Sequence, residues 1–212
     1  MQNLARICVL LGLFTLLLGF MAVTESIAES LQPPQQVIEN VSGQLKQRLQ
    51  DKAFTRNFAR VTQFVDSVIY QHTAFDRIAP LVLGKHWRTA TAEEKEQFKN
   101  EFRTMLVRTY SRAFIEYHDW TIRFPALDMS SDGKKAFVRT EILQPGQPPL
   151  AVNYRMFLDK GQWKVYDIMI EGVSLVTNYR STFNEEIKRK GSLSAVINEL
   201  AKRNEEALHS KG

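Results

Sequence analysis

The side chains able to do chemistry are few and scattered. The four histidines, His72, His86, His118 and His209, are far apart, and none stands at a spacing that would bring two imidazoles to one metal ion. Gly172-Val173-Ser174 matches the first half of a nucleophile elbow, but Val176 stands where the closing glycine is needed. Ser174 then reads as a turn or helix-cap residue, because its hydroxyl can accept a first-turn N–H. No glycine-rich phosphate loop is present. Asp167 is a lone carboxylate among apolar residues. An acid so placed is either catalytic or structural. With no companion base or nucleophile, the structural reading stands: an acid held by a tyrosine hydroxyl or a nearby arginine. No constellation supports catalysis.

The element that positions Asp167 is the stretch from Val152 to Phe183. Val152–Leu158 and Trp163–Ile170 are rich in β-branched and aromatic residues, and Asp159-Lys160-Gly161-Gln162 between them is turn chemistry, so the stretch is a β-hairpin. Pairing Asp159 with Gln162 sets Leu158 against Trp163, Met156 against Val165, Tyr154 against Asp167 and Val152 against Met169. That register gathers Val152, Tyr154, Met156, Leu158, Trp163, Val165 and Met169 on one face. Phe157, Tyr166, Ile168 and Ile170 fall on the other. Both faces are apolar enough to need cover, either by helices alone or by helices together with a ligand.

The chain opens with a short, weakly positive lead, an apolar run from Ile7 to Val23, and Ser26-Ile27-Ala28. Small residues three before and one before a cut after Ala28 predict a cleaved secretory signal over residues 1–28. The single cysteine, Cys8, leaves with it, since Arg6 and Ile7 exclude a lipobox. Residues 29–212 are then one exported domain, held by its core and not by disulfides. The net charge of +5 survives cleavage, because the leader carries one Arg and one Glu. A moderate, interspersed excess suits an acidic partner or anionic surface, and argues against nucleic acid.

Apolar residues at every fourth position from Val37 to Leu49, and a helical apolar face of Val61, Phe64, Val65, Val68 and Ile69 after Phe58, predict two helices. Phe75 to Trp87 is an apolar patch that Pro80 and Gly84 break into short helical pieces. Thr91-Ala92-Glu93-Glu94 is a capping box that starts a long helix, with Phe98, Phe102, Met105, Leu106 and Tyr110 along its apolar face. From Trp120 the period changes. Trp120–Leu127 and Lys135–Leu143, joined by a turn at Ser130–Gly133, precede the hairpin, so four consecutive strands form an antiparallel meander. Two helices follow, one ending at Gly191. The chain is α+β, helical over 37–117, sheet over 120–170 and helical again over 174–208.

Certain stretches carry a family resemblance. Leu83-Gly84 with Trp87-Arg88, then Phe98, Phe102, Leu106 and Thr109-Tyr110, then Trp163-Lys164-Val165-Tyr166-Asp167, Glu171-Gly172-Val173-Ser174-Leu175, Asn178-Tyr179-Arg180 and Phe183 resemble the MlaC, or toluene-tolerance, family. The match is colinear from about Val65 to Leu200. It departs at His86, where an aromatic such as Tyr is expected. The resemblance implies a periplasmic phospholipid shuttle of Gram-negative bacteria, running between an outer-membrane lipoprotein–porin complex and an inner-membrane ABC transporter with an MCE-type subunit. It implies no catalysis and no cofactor other than diacyl phospholipid as cargo. The fold implied is an NTF2-like four-stranded sheet with a helical part, closed around an apolar lipid cavity. The rival readings are a protein-binding periplasmic adaptor and an enzyme on the same fold using Asp167.

On these faces the expected cavity draws on Phe75, Ile78, Leu81, Trp87, Phe98, Phe102, Leu106, Tyr110, Tyr154, Met156, Val165, Met169, Val173 and Tyr179. Lys85, Arg88, Lys95, Lys99 and Arg103 form the expected docking edge, and no metal site is expected.

Overall fold

The computed structural model describes residues 30–116 and 119–209; the expected signal segment and His118 lie outside them. Helices α1 (Pro33–Leu49), α2 (Lys52–Thr55), α3 (Phe58–Tyr70), α4 (Phe75–Leu83), α5 (Lys85–Thr89) and α6 (Ala92–Glu116) precede the sheet. Pro80 sits inside α4 without breaking it, and the break falls at Gly84, whose φ of 55° closes the helix. The capping box forms as expected: Thr91 N donates to Glu94 Oε2 at 2.9 Å and Glu94 N to Thr91 Oγ1 at 3.1 Å. Helices α7 (Leu175–Lys190) and α8 (Leu193–His209) follow the sheet, with Gly191 in the left-handed conformation ending α7.

Among the described residues the sheet has seven strands: β1 (Thr121–Arg123), β2 (Leu127–Met129), β3 (Lys135–Val138), β4 (Glu141–Leu143), β5 (Leu150–Asp159), β6 (Gln162–Ile170) and β7 (Val173–Ser174). β3 and β4 divide the expected strand Lys135–Leu143, whereas of the expected strand Trp120–Leu127 only β1 and Leu127 are extended in the ladder, and β2 runs on to Met129. Phe124-Pro125-Ala126 separates β1 from β2, where proline cannot donate to a ladder, and Arg139-Thr140 separates β3 from β4. β2 pairs with β3, β1 with β4, and both β3 and β4 with β5. The order of the expected meander is therefore kept, with β7 added beyond β6.

The hairpin register holds only near its turn. Asp159 pairs with Gln162, Leu158 with Trp163 and Met156 with Val165, but a bulge then shifts the ladder by one. Asp167 faces Arg155, not Tyr154. Ile168 faces Tyr154, and Met169 faces Asn153. Tyr166 is the extra residue; a bulge leaves one residue unpaired and exchanges the faces of everything beyond it. Beside the bulge, Thr73 bridges Val165 in parallel. Val165 N donates to His72 O at 2.8 Å and Ala74 N to Val165 O at 2.9 Å, closing that part of the outer edge of β6.

Candidate lipid site between sheet and helices

Among the described residues the buried apolar side chains fall into three clusters. The first joins α4, α6, α7 and α8. In it Phe98 and Phe102 stack at 5.5 Å, with Phe183 edge-on at 5.1 and 5.6 Å and Tyr179 edge-on to Phe102 at 5.3 Å. The second holds Leu45, Leu49, Phe54, Val61, Val65, Val68 and Val107, uniting α1, α2, α3 and α6. The third is the inner sheet face: Ala136, Val138, Met156, Trp163 and Val165, with Ile38 from α1.

α1 contributes to both the second and third clusters. Ile38 belongs to the sheet cluster and Leu45 to the helical one, separated by about 10 Å along the axis at 1.5 Å per residue. Partly buried apolar residues border both clusters: Val41, Ile69, Phe114 and Ile115 on the helices, and Tyr154, Ile168, Phe124 and Leu127 on the sheet. The inner register of the sheet also stays apolar at its exposed margins, at Met129, Leu150, Leu158 and Val173. Tyr154 is crowded enough that burial pushes its phenol up to about 12, against a hydrogen bond with Thr140 that pulls it down, yet the side chain keeps accessible surface.

The structure divides the expected cavity residues. Ile78, Phe98 and Phe102 are buried in the first cluster, with Trp87, Leu106 and Tyr179 packed on it. Tyr154, Met156 and Val165 belong to the sheet cluster. Leu81 and Val173 are exposed, Val173 at 59%. Tyr110 is half-buried, and burial followed by the neighbouring Tyr179 phenol raises its pKa well above the ordinary range. Met169 lies on the outer register, and Ile168, not anticipated, takes its place on the inner one. No reading of strict alternation could find Ile168, because the bulge follows from how the chain packs.

Phe75 stacks on Tyr70 at 6.2 Å and lines a cleft of about 280 Å³ between α4, α6 and the β5–β6 hairpin. Arg77, Lys99, Arg103, Phe157 and Lys164 also line it. The cleft is near the lower limit for ligand pockets and lacks their mainly apolar lining.

Of the expected docking cations, Lys99 bonds Asp76 at 2.8 Å and Glu96 at 2.9 Å. Arg103 grips Asp66 through two nitrogens and lies 3.9 Å over Tyr70. Lys95 sits 5.6 Å over the Trp87 ring, while Lys85 and Arg88 are exposed. His86 meets Asn184 Oδ1 at 3.1 Å.

Asp167 is only 4% exposed, and both its oxygens serve the start of α7. Ser174 Oγ donates to Oδ2 at 2.7 Å and Val176 N to Oδ1 at 3.1 Å, while Arg155 approaches Oδ2 at 3.3 Å. Ser174 also caps the helix, accepting from Thr177 N at 3.1 Å. A carboxylate here satisfies free first-turn donors and the positive end of the helix dipole. The arrangement is structural.

This constellation has relatives. A solved phospholipid-binding protein from Ralstonia solanacearum, in complex with a phospholipid, superposes with a TM-score of 0.75 at 26% identity, covering 83% of this chain and 99% of that one. Toluene tolerance protein ttg2D of Pseudomonas putida is 28% identical over 109 residues, 51% of this chain and 50% of its own length. The intermembrane phospholipid transport system binding protein MlaC of Haemophilus influenzae is 29% identical over 98 residues, 45% of this chain and 46% of its own. The matched segment thus spans about half the length of these curated relatives. The sequence profile described as MlaC protein covers residues 39–202. That is most of the chain, running from within α1 to within α8, and the chain belongs to the MlaC family.

Proposed function

We propose that this protein is a periplasmic phospholipid carrier whose acyl chains lie between the inner sheet face and the layer of α1, α3 and α6. The observation that carries the reading is the separation of the sheet and helical clusters, with half-buried apolar residues at the borders of both. The likeness to a solved protein holding a phospholipid supports it. In this reading residues 1–28 are a cleaved export signal. The carrier shuttles lipid between an outer-membrane lipoprotein–porin complex and an inner-membrane ABC transporter with an MCE-type subunit, maintaining outer-membrane lipid asymmetry. It performs no bond chemistry.

The energetics suit transport. Each buried CH₂ is worth about 0.8 kcal/mol, so two chains of about sixteen carbons gain on the order of 20 kcal/mol gross in a dry site. A bilayer offers nearly the same. Lipid therefore passes between carrier and membrane machinery near equilibrium, without a strong head-group clamp. Organic extraction of the purified protein followed by mass spectrometry tests this: diacyl phospholipid in stoichiometric amount is expected. An extract without lipid, from a protein that also takes none up from vesicles, would favour a protein-binding adaptor.

A further inference from the structure

The outer face of the sheet differs in kind from the inner one. Cross-strand register sets Asp128 against Phe137, Phe137 against Arg155, and Arg155 against Asp167. The next row sets Lys135 against Phe157 and Phe157 against Lys164. Arg139 lies 4.9 Å over the Phe137 ring, and Arg77 reaches from α4 to lie 4.4 Å over Phe157 and 4.7 Å over Tyr166. Basic and aromatic side chains thus alternate across β3, β5 and β6, and the stripe ends at the cleft beside α4. Tyr166 packs against the helical core, and Asp167 is buried at the start of α7. Lys135, Arg155 and Arg77 are exposed, and Phe137 and Phe157 half-exposed.

We infer that this stripe is a docking surface for an acidic face of a partner protein. A guanidinium stacked on a ring is held flat with its N–H edge free, the geometry that pairs with a carboxylate fork. Arg77, Lys135 and Lys164 have no carboxylate partner within ion-pair distance among the described residues; Lys164 Nζ donates to Gln71 O, a neutral carbonyl that leaves its charge uncompensated. Two observations favour a protein over a lipid surface. The stripe carries an exposed acid in a fixed place, Asp128 on Arg139 at 2.6 Å, which anionic lipid would repel but a complementary protein can match. The exposed apolar residues of the sheet, Met129, Leu150, Leu158 and Val173, fall on the opposite register, so this face has no aliphatic wedge to enter a bilayer. This inference stands apart from the lipid reading, since it uses the opposite face of the sheet.

The test uses poly-L-glutamate as the acidic polypeptide and vesicles of equal parts phosphatidylcholine and phosphatidylglycerol as the lipid surface. Combining Arg77→Gln, Lys135→Gln and Lys164→Gln removes the unpaired charges. Combining Lys52→Gln, Arg56→Gln and Arg189→Gln, at exposed cations elsewhere, removes the same charge. Poly-L-glutamate binding at low salt is expected to weaken about tenfold in the first variant and little in the second, and to fade as salt screens it. Amide shifts in the wild-type protein on adding poly-L-glutamate, centred on Phe137 and Phe157, give the same answer without any substitution. Equal weakening in both variants, shifts centred elsewhere, or vesicle binding through these residues without poly-L-glutamate binding would overturn the proposal.

Discussion

The Asp167 carboxylate and the Ser174 hydroxyl, 2.7 Å apart, tie the end of β6 to the first turn of α7. Ser174 relays the contact by capping Thr177 N, so one buried acid organises several otherwise free groups. Asp167→Asn is expected to cost about 1–3 kcal/mol, the usual penalty for disturbing a buried charged hydrogen bond, and to leave bound lipid in place. Urea unfolding and lipid extraction of the same preparation check both halves. Loss of a hydrolytic activity without loss of stability would instead make Asp167 a catalytic acid.

Gly84 joins α4 to α5 with φ of 55°, and a Cβ there would stand 2.9 Å from both Arg180 Nε and one terminal guanidinium nitrogen. Arg180 is the flexible end of that contact and can move, whereas the backbone cannot. Gly84→Ala is therefore expected to lose about 1–3 kcal/mol, chiefly through left-handed backbone strain. Adding Arg180→Ala should recover little of it. Thermal unfolding of the single and double variants measures the split, and full recovery in the double variant would assign the cost to the side-chain clash.

Glu94 links two helices: it completes the cap of α6, and Oε1 accepts the Ser194 hydroxyl at 2.6 Å. That hydroxyl first, and the Thr91 N–H next, hold its pKa below the ordinary 4.5. A lowered folded-state pKa means the charged form is favoured in the native protein. Its contribution is present above about pH 4.5 and is lost as pH falls through the folded value. Glu94→Gln should cost about 0.3–1 kcal/mol at neutral pH, the worth of a charge at a helix start. The gap between variant and wild type should close as the medium is acidified; a gap independent of pH would show that charge plays no part.

Local signals were legible wherever local chemistry decides the outcome. The Thr91–Glu94 box, the Gly191 helix end, the Ser174 cap and the two-stranded turn at Asp159–Gln162 all depend on residues within a few positions of each other, and all form. The bulge at Tyr166 does not announce itself, because it depends on how β5, the His72–Ala74 segment and α7 meet β6. Missing it put Asp167 on the wrong face and Met169 in place of Ile168. Periodicity also marked Phe98, Phe102 and Leu106 as an apolar face without saying which neighbour it meets. The structure sets that face against α4, α7 and α8, while Val107, Phe114 and Ile115 on the same helix meet the second cluster. An amphipathic stripe identifies what must be covered; the partner is chosen by tertiary packing.

The most direct test of the account is where a bound lipid touches the protein. The purified carrier would be loaded with a phospholipid bearing a photoreactive group in its acyl chain, irradiated, digested and sequenced by mass spectrometry. Adducts are expected on the facing borders of the sheet and helical clusters, at Val41, Ile69, Phe114, Tyr154 or Ile168. Adducts confined to the aromatic cluster of Phe98, Phe102 and Phe183, or to the exposed surface, would contradict the placement of lipid between sheet and helices.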